Sequence, residues 1–313
     1  MTRPGSPPAV ELRGTWKRYG DVVALAGISL EVQLGDIVAF LGPNGAGKTT
    51  AISLMLGLRR PTEGTVRVFG MSPLDRRARS LRGAMLQDVG LMPLLKVHEI
   101  IDLFRSYYPA PLQTATVLAM CGLEEKARAH VGTLSGGQRQ RLAYGLAVCG
   151  DPQALFLDEP TVGMDVAGRR AFLEEVVTYA ASGRTVFLTT HFLDEADAVA
   201  RRIVVIDRGR IVADGTPAEI KARAAGRKVS FRTAAPLTPT ALAGLPVTGL
   251  SVTDATVRFL TNEPEAVLAE LFRRGTTMTD LEVTGADLEE AFLAITGPAG
   301  AGSAGAPPGG VSP

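Results

Sequence analysis

Short, wholly apolar runs alternate with stretches of helical periodicity through the middle of the chain. Asp36 to Leu41 contains Ile-Val-Ala-Phe-Leu, Ala154 to Leu157 reads Ala-Leu-Phe-Leu, and Thr185 to Leu188 reads Thr-Val-Phe-Leu. Consecutive apolar positions over so few residues predict buried strands. Lys48 to Leu58 sets Ile52, Met55 and Leu56 at helical spacing and stops at Arg59-Arg60-Pro61, cations at the negative end followed by a breaker. A further helix is expected from about Val166 to Ser182. Strands alternating with helices predict a parallel α/β core.

Elsewhere the pattern alternates with period two. Val22-Val23-Ala24-Leu25 and Ile28-Ser29-Leu30-Glu31-Val32 predict antiparallel strands, and Pro61-Thr62-Glu63-Gly64 a turn into the strand Thr65 to Phe69. Ile203 to Ile206, Asp207-Arg208-Gly209 and Arg210 to Ala213 predict a hairpin. Residues 75–150 are mostly helical in pattern, broken at Met92-Pro93 and Tyr108-Pro109-Ala110-Pro111, and are expected to form a lobe inserted in the core.

Near Ala224-Ala225-Gly226 the pattern changes, which puts the first domain at 9–224 and a second at 225–297. Strands are expected at 228–232, 247–252, 255–260 and 276–283, and helices at 237–244 and 264–274. A last helix, Asp287 to Ile295, carries Leu288, Ala291, Phe292 and Ile295 on one face. Thr284, with Asp287 three residues on, resembles its capped start, and Gly297-Pro298 ends it. The set suggests a small α+β domain with a split βαβ arrangement. Residues 1–8 are expected to be disordered and 298–313, built of Gly, Ala, Pro and Ser, to be a flexible tail.

A net charge of +1, with both signs interspersed, gives no basic footprint for nucleic acid, and none is expected as a partner. Cys121 and Cys149 make neither a metal pair nor a disulfide framework. The N-terminus lacks the apolar segment of a signal peptide, and no run approaches the roughly 20 apolar residues of a membrane helix. Any membrane span is therefore expected on another chain.

The strongest chemical signal is Gly42-Pro43-Asn44-Gly45-Ala46-Gly47-Lys48-Thr49-Thr50, a phosphate-binding loop between a predicted strand and a predicted helix. Its glycines let backbone N–H groups turn inward, and the helix dipole adds positive character. Lys48 is placed to reach the β- and γ-phosphates, and the Thr49 hydroxyl to bind Mg²⁺. Leu134-Ser135-Gly136-Gly137-Gln138 opens another helix at a glycine-rich N-terminus, either a second anion site or a plain capped turn.

With that pentapeptide the chain resembles the ATP-binding-cassette (ABC) family, whose signature it matches residue for residue over a region of about 9–222. The resemblance implies a phosphate-loop, RecA-like α/β core with an antiparallel β subdomain and an inserted helical lobe. It also implies a self-dimer in which the signature of one protomer covers the γ-phosphate held by the loop of the other, with ATP and Mg²⁺ as cofactors. Leu155-Phe156-Leu157-Asp158-Glu159 then supplies Asp158 for the Mg²⁺ shell and Glu159 for the attacking water. By the same resemblance His191 is the switch histidine, and Gln87 is the hinge residue that ligates Mg²⁺ or orients water and relays to the membrane partner. Asp165 is the dimer-interface contact. Tyr19 is the adenine platform, with Trp16 as its rival. His98 and His130 read as structural. The stretch Val89 to Leu95 is either partner groove or lobe core.

These motifs imply an ATP-hydrolysing transporter subunit, peripheral at the cytoplasmic face of the membrane. A soluble ABC ATPase of ribosomes or DNA is opposed by the single loop, the single signature and the lack of sustained heptads. A small-molecule kinase is opposed by the signature. Asp287 to Gly297 resembles the closing segment of daunorubicin-resistance-type exporter ATPases. That implies an ABC-2-type permease and export of a drug, antibiotic or other hydrophobic compound.

Overall fold

The computed structural model describes residues 7–87, 90–223, 226–234 and 242–297. The expected disorder of Met1 to Ser6, the expected tail from Pro298 and most of the expected 237–244 helix lie outside the described residues. Two compact units divide after Thr216.

The first unit begins with β1 (Val10–Tyr19) and β2 (Val22–Val32) and continues through β3 (Ile37–Leu41), α1 (Lys48–Met55), β4 (Glu63–Val68), α2 (Arg76–Ser80) and β5 (Arg82–Met85). The lobe helices α3 (Val97–Arg105), α4 (Thr114–Met120) and α5 (Gly136–Val148) come next. Then come β6 (Ala154–Asp158), α6 (Val166–Ala181), β7 (Thr185–Thr189), α7 (Leu193–Val199), β8 (Arg202–Asp207) and β9 (Arg210–Gly215). Among the described residues a six-stranded sheet has the order β5-β6-β7-β3-β8-β9, parallel except for the β8–β9 hairpin. A three-stranded antiparallel sheet, β2-β1-β4, accompanies it.

Every residue of β3, β6 and β7 is buried, as their unbroken apolar runs predict. Phe187 packs between Phe40 and Phe156, with ring centroids 5.4 and 6.0 Å away. Each such side chain contributes about 1.5–3 kcal/mol of burial. That rigidity holds the strand ends, where the chemistry sits, in fixed register.

The expected helical character of residues 75–150 needs a correction. Arg82–Met85 is the edge strand of the parallel sheet, paired with Ala154 to Leu157. Four residues are too few for a period to declare itself. Packing dictates the strand instead: a Cβ on Gly83 would sit 1.9 Å from the Ala147 carbonyl oxygen, so only glycine lets β5 approach α5 this closely. Arg82 is buried and donates to the carbonyls of Met55, Leu56 and Pro73 at 2.9, 2.6 and 2.7 Å. Burial, reinforced by the nearby Arg79 charge, lowers its pKa to about 10. Two of those carbonyls terminate α1, so a buried guanidinium closes that helix and Arg59-Arg60 lie beyond its end.

The second unit comprises α8 (Pro217–Lys221), β10 (Arg227–Thr233), β11 (Thr248–Thr253), β12 (Thr256–Thr261), α9 (Pro264–Arg273), β13 (Met278–Gly285) and α10 (Leu288–Thr296). Its sheet runs β11-β12-β10-β13, with β10 antiparallel to both β12 and β13. β12 and β13 are therefore parallel and split by β10, with α9 as their crossover, which is the split βαβ form. Val229, Phe231, Val257 and Phe259 pack on Val267 and Leu271 of α9.

The cap of α10 differs from expectation. Asp287 itself is the N-cap, accepting from the backbone N–H groups of Glu289 and Glu290 at 2.9 and 3.1 Å, while Glu290 accepts from Asp287 N–H at 2.8 Å. Asp287 and Glu290 also meet Lys228 at 2.8 and 2.7 Å. Thr284 falls inside β13 because its backbone pairs with Lys228. Burial works against the Asp287 charge, but hydrogen bonds from the Glu290 backbone and Lys228 win, and its pKa lies below the usual range. A carboxyl with a depressed native pKa stabilises the fold above its unfolded pKa of about 3.9, and that contribution fades as pH falls below it. Asp287→Ala is expected to cost the second unit about 1 kcal/mol near neutral pH, mostly the lost cap, because solvent screens the half-exposed pair. The difference from wild type should shrink below pH ~4. Urea denaturation with hydrogen exchange at α10 measures both.

Candidate functional site: a nucleotide cleft

The phosphate loop connects β3 to α1 at the carboxyl edge of the sheet, flanked by the ends of β7 and β8. Gly47 takes φ +111° as the N-cap of α1, and a Cβ there would lie 2.5 Å from the Ala24 carbonyl oxygen. Glycine is thus demanded by conformation and by space. The loop opens on a cleft of about 470 Å³, lined by Asn44 to Thr50 and by Ala24, Gln87, Glu159, Val162 and His191. Lys48 is nearly buried and donates to the Gly42 and Pro43 carbonyls at 2.6 and 3.3 Å. Burial lowers its pKa, opposed by the charges of Glu159 and Asp158.

The two carboxylates come off the end of β6. Asp158 is 1% exposed, and its Oδ1 accepts from Thr189 Oγ1 at 2.5 Å. Its Oδ2 is buried with no hydrogen-bond partner among the described residues. A buried carboxylate oxygen without a hydrogen-bond partner is costly, and a bound cation is chemistry that would satisfy it. Glu159 leaves the strand in the left-handed region, φ +52°, and its N–H donates to the Thr189 carbonyl and hydroxyl, both at 3.1 Å. This turn swings its carboxylate away from the strand line and onto His191, whose Nδ1 lies 2.6 Å from Glu159 Oε2. With Nδ1–H donating to a carboxylate, Nε2 is left to face a ligand.

Several expected residues are not gathered into this cleft. Ser135 caps α5: its Oγ accepts from Gln138 N–H at 3.2 Å, and Gln138 Oε1 accepts from Ser135 N–H at 2.9 Å. The capped-turn reading is therefore right locally, and it fixes Ser135, Gly136, Gly137 and Gln138 in shape. Gly136 lines a separate groove of about 380 Å³ with Gln87, Leu91, Arg139 and Val162. Asp165 caps α6, accepting from Gly168 N–H at 2.7 Å. Tyr19 stands exposed at the β1–β2 turn, with Lys17 Nζ 5.1 Å and Arg59 Cζ 6.0 Å from its ring centre. Trp16 packs against Gly27 and carries Arg18 over its ring at 5.1 Å. Both other histidines accept structural roles: Nδ1 of His98 meets the Ala127 carbonyl at 2.7 Å and that of His130 the Leu94 carbonyl at 2.9 Å.

Sequence reasoning passed over Thr189, which ties both carboxylate positions to β7, and Glu195, which is 1% exposed. Neither residue type carries a motif at its position. Only the pairing of Asp158 with Thr189 across parallel strands reveals the first.

The ABC transporter family profile matches residues 25–162. The Nod factor export ATP-binding protein I of Ralstonia nicotianae is 35% identical over 306 residues, covering 94% of this chain and 95% of that relative. This chain belongs to the ABC transporter family. As a member it is an ATP-hydrolysing subunit that works in transport. A second ABC relative, the daunorubicin resistance ATP-binding protein DrrA3 of Streptomyces coeruleorubidus, is 37% identical over 306 residues, with 92% of this chain and 96% of the relative covered. The ABC fold is matched by the solved structure of an ATP-binding subunit of an ABC transporter, with TM-score 0.63, 26% identity, and 68% of this chain and 92% of that one covered. A dimeric ATP-binding cassette in a post-hydrolysis state with ADP and Pi gives TM-score 0.61 at 27% identity, over 66% and 98%. No described helix of this ABC subunit is long and apolar enough to cross a membrane.

Proposed function

We propose that this chain powers export of a drug, antibiotic or other hydrophobic compound through a separate permease of the ABC-2 type, at the cytoplasmic face of the membrane. The observation that carries the hydrolytic step is the 2.6 Å contact between Glu159 Oε2 and His191 Nδ1 at the cleft. Export is supported by the relative named for Nod factor export, and a drug as cargo by the relative named for daunorubicin resistance.

ATP is held by Asn44 to Thr50, with Lys48 on the β- and γ-phosphates and Tyr19 stacked on adenine. Thr49, Asp158 and Gln87 would hold Mg²⁺, which supplies charge neutralisation on the phosphates. Glu159 takes the proton of the attacking water, and His191 fixes that carboxylate through Nδ1; Nε2 donates to a γ-phosphate oxygen when it too carries a proton. Among the described lining residues, none of Ser135 to Gln138 faces the phosphate cleft of the same chain, although the groove that carries Gly136 shares Gln87 and Val162 with it. A second copy therefore brings Ser135 to Gln138 over the nucleotide and Asp165 to the interface. Closure with ATP and reopening after hydrolysis then drive the permease.

The partner surface is assigned to the stretch after Gln87. Leu91 and Leu95 pack on the lobe core, whereas Met92 and Leu94 are 49% and 84% exposed. Val89 lies outside the described residues. Met92→Asp with Leu94→Asp is expected to cut recovery with a co-expressed permease about tenfold, while ATPase of the isolated chain is unchanged. Membrane recovery and substrate-stimulated ATPase measure this. Undiminished recovery and stimulation would remove the surface from the reading.

A further inference from the structure

We infer that Glu195 is a positioning residue for hydrolysis, a buried tie that holds the Glu159 loop and the His191 loop in one geometry. The inference rests on the proposed roles of Glu159 and His191 and adds a residue that no motif marks.

Glu195 sits in the first turn of α7 and is 1% exposed. An isolated carboxylate at that depth is costly and persists only with several partners. Three separate segments supply them. Thr161, two residues beyond Glu159, donates its hydroxyl to the carboxylate at 2.7 and 2.9 Å from the two oxygens. Thr190, adjacent to His191, donates to Oε2 at 3.0 Å. Arg169, in the helix capped by Asp165, brings Nε within 3.3 Å of Oε1. Thr161 and Thr190 are themselves fully or almost fully buried.

The network continues to the reacting groups. Thr190 Oγ1 accepts from Phe192 N–H at 2.9 Å, and the Phe192 ring lies 4.0 Å from the His191 imidazole. The Arg169 guanidinium covers that phenyl ring at 4.1 Å. Phe192 is thereby held by Thr190 from the backbone and by Arg169 from its face. The imidazole beside it is aimed at Glu159 Oε2. Burial raises the Glu195 pKa, opposed by the Thr161 and Thr190 hydrogen bonds and the Arg169 charge. A carboxylate buried here for stability alone would be an odd solution, since an apolar side chain of that volume is often as stable. Its use lies in fixing direction.

The tie shares no atom with the phosphate loop, so it should act on turnover and not on ATP affinity. Misplacing a catalytic pair by about 1 Å costs on the order of 100-fold. In the full-length protein, Glu195→Ala is expected to lower kcat by about 10- to 100-fold with KM for ATP within about twofold of wild type. Glu195→Gln, which keeps the acceptor oxygen for a threonine, should recover part of the loss. In a His191→Ala background, Glu195→Ala should add less than about twofold, because groups acting as one unit are not additive. Full additivity in that background, or a loss confined to KM, would overturn the inference. If Glu195→Ala does not fold, Thr190→Val in the same cycle replaces it, with the same outcomes deciding. Normal turnover in His191→Ala alone would instead overturn the underlying hydrolytic reading, and the tie with it.

Discussion

Glu159→Gln is expected to bind ATP normally and to turn over about 100- to 10,000-fold more slowly, the range for loss of a general base. The substitution keeps the volume of a side chain that is only 8% exposed, and the amide oxygen can still accept from His191 Nδ1. Its loss is the basicity that receives the proton of water. Because the nucleotide then persists, a dimer should accumulate with ATP and appear in size-exclusion chromatography. Near-normal hydrolysis would remove Glu159 from the role of base.

Lys48→Ala is the second large effect, and it should fall on binding. Lys48 is 7% exposed, lies in the first turn of α1 and donates to the Gly42 and Pro43 carbonyls, so it braces the loop it belongs to. Removing it takes away a charged donor to phosphate and leaves a buried carbonyl unpaired, each worth about 1–3 kcal/mol. An affinity loss of at least about 10- to 100-fold is expected by calorimetric titration with ATP. Lys48→Arg should not restore it, because the larger planar guanidinium does not fit a nearly buried site filled by a compact ammonium. Unchanged affinity would contradict the assignment.

These two residues were legible in the sequence because each sits where a strand ends and a fixed local geometry begins. The unbroken runs before Gly42 and Asp158 declare buried strands, and the residues just after a buried parallel strand lie at the sheet's carboxyl edge. The split βαβ unit was legible in part for a similar reason, since β10 and β12 bury every second residue. β5 was not: Arg82-Gly83-Ala84-Met85 has no period, and its strand state comes from pairing with residues about 70 positions away. Glu195 was hidden differently. In Leu193-Asp194-Glu195-Ala196-Asp197 an acidic residue in a first helical turn looks like solvent-facing dipole compensation, and only tertiary structure turns it inward. The Asp287 cap was missed by three positions because Thr and Asp are both good caps and the strand continues through Thr284.

The contact between Gly83 and Ala147 bears on how the lobe can move. It pins α5 to the edge of the sheet one residue from the helix's C-terminal end, while Ser135 stands at the other end. Thirteen residues at ~1.5 Å each make an arm of about 20 Å. A rotation of about 10° around that pin carries the Ser135 hydroxyl roughly 3 Å, the length of one hydrogen bond. In the proposed dimer, an arm of that length would let a small change of angle decide whether the serine reaches a phosphate, and a methyl group on Gly83 would push α5 off the sheet edge that anchors it.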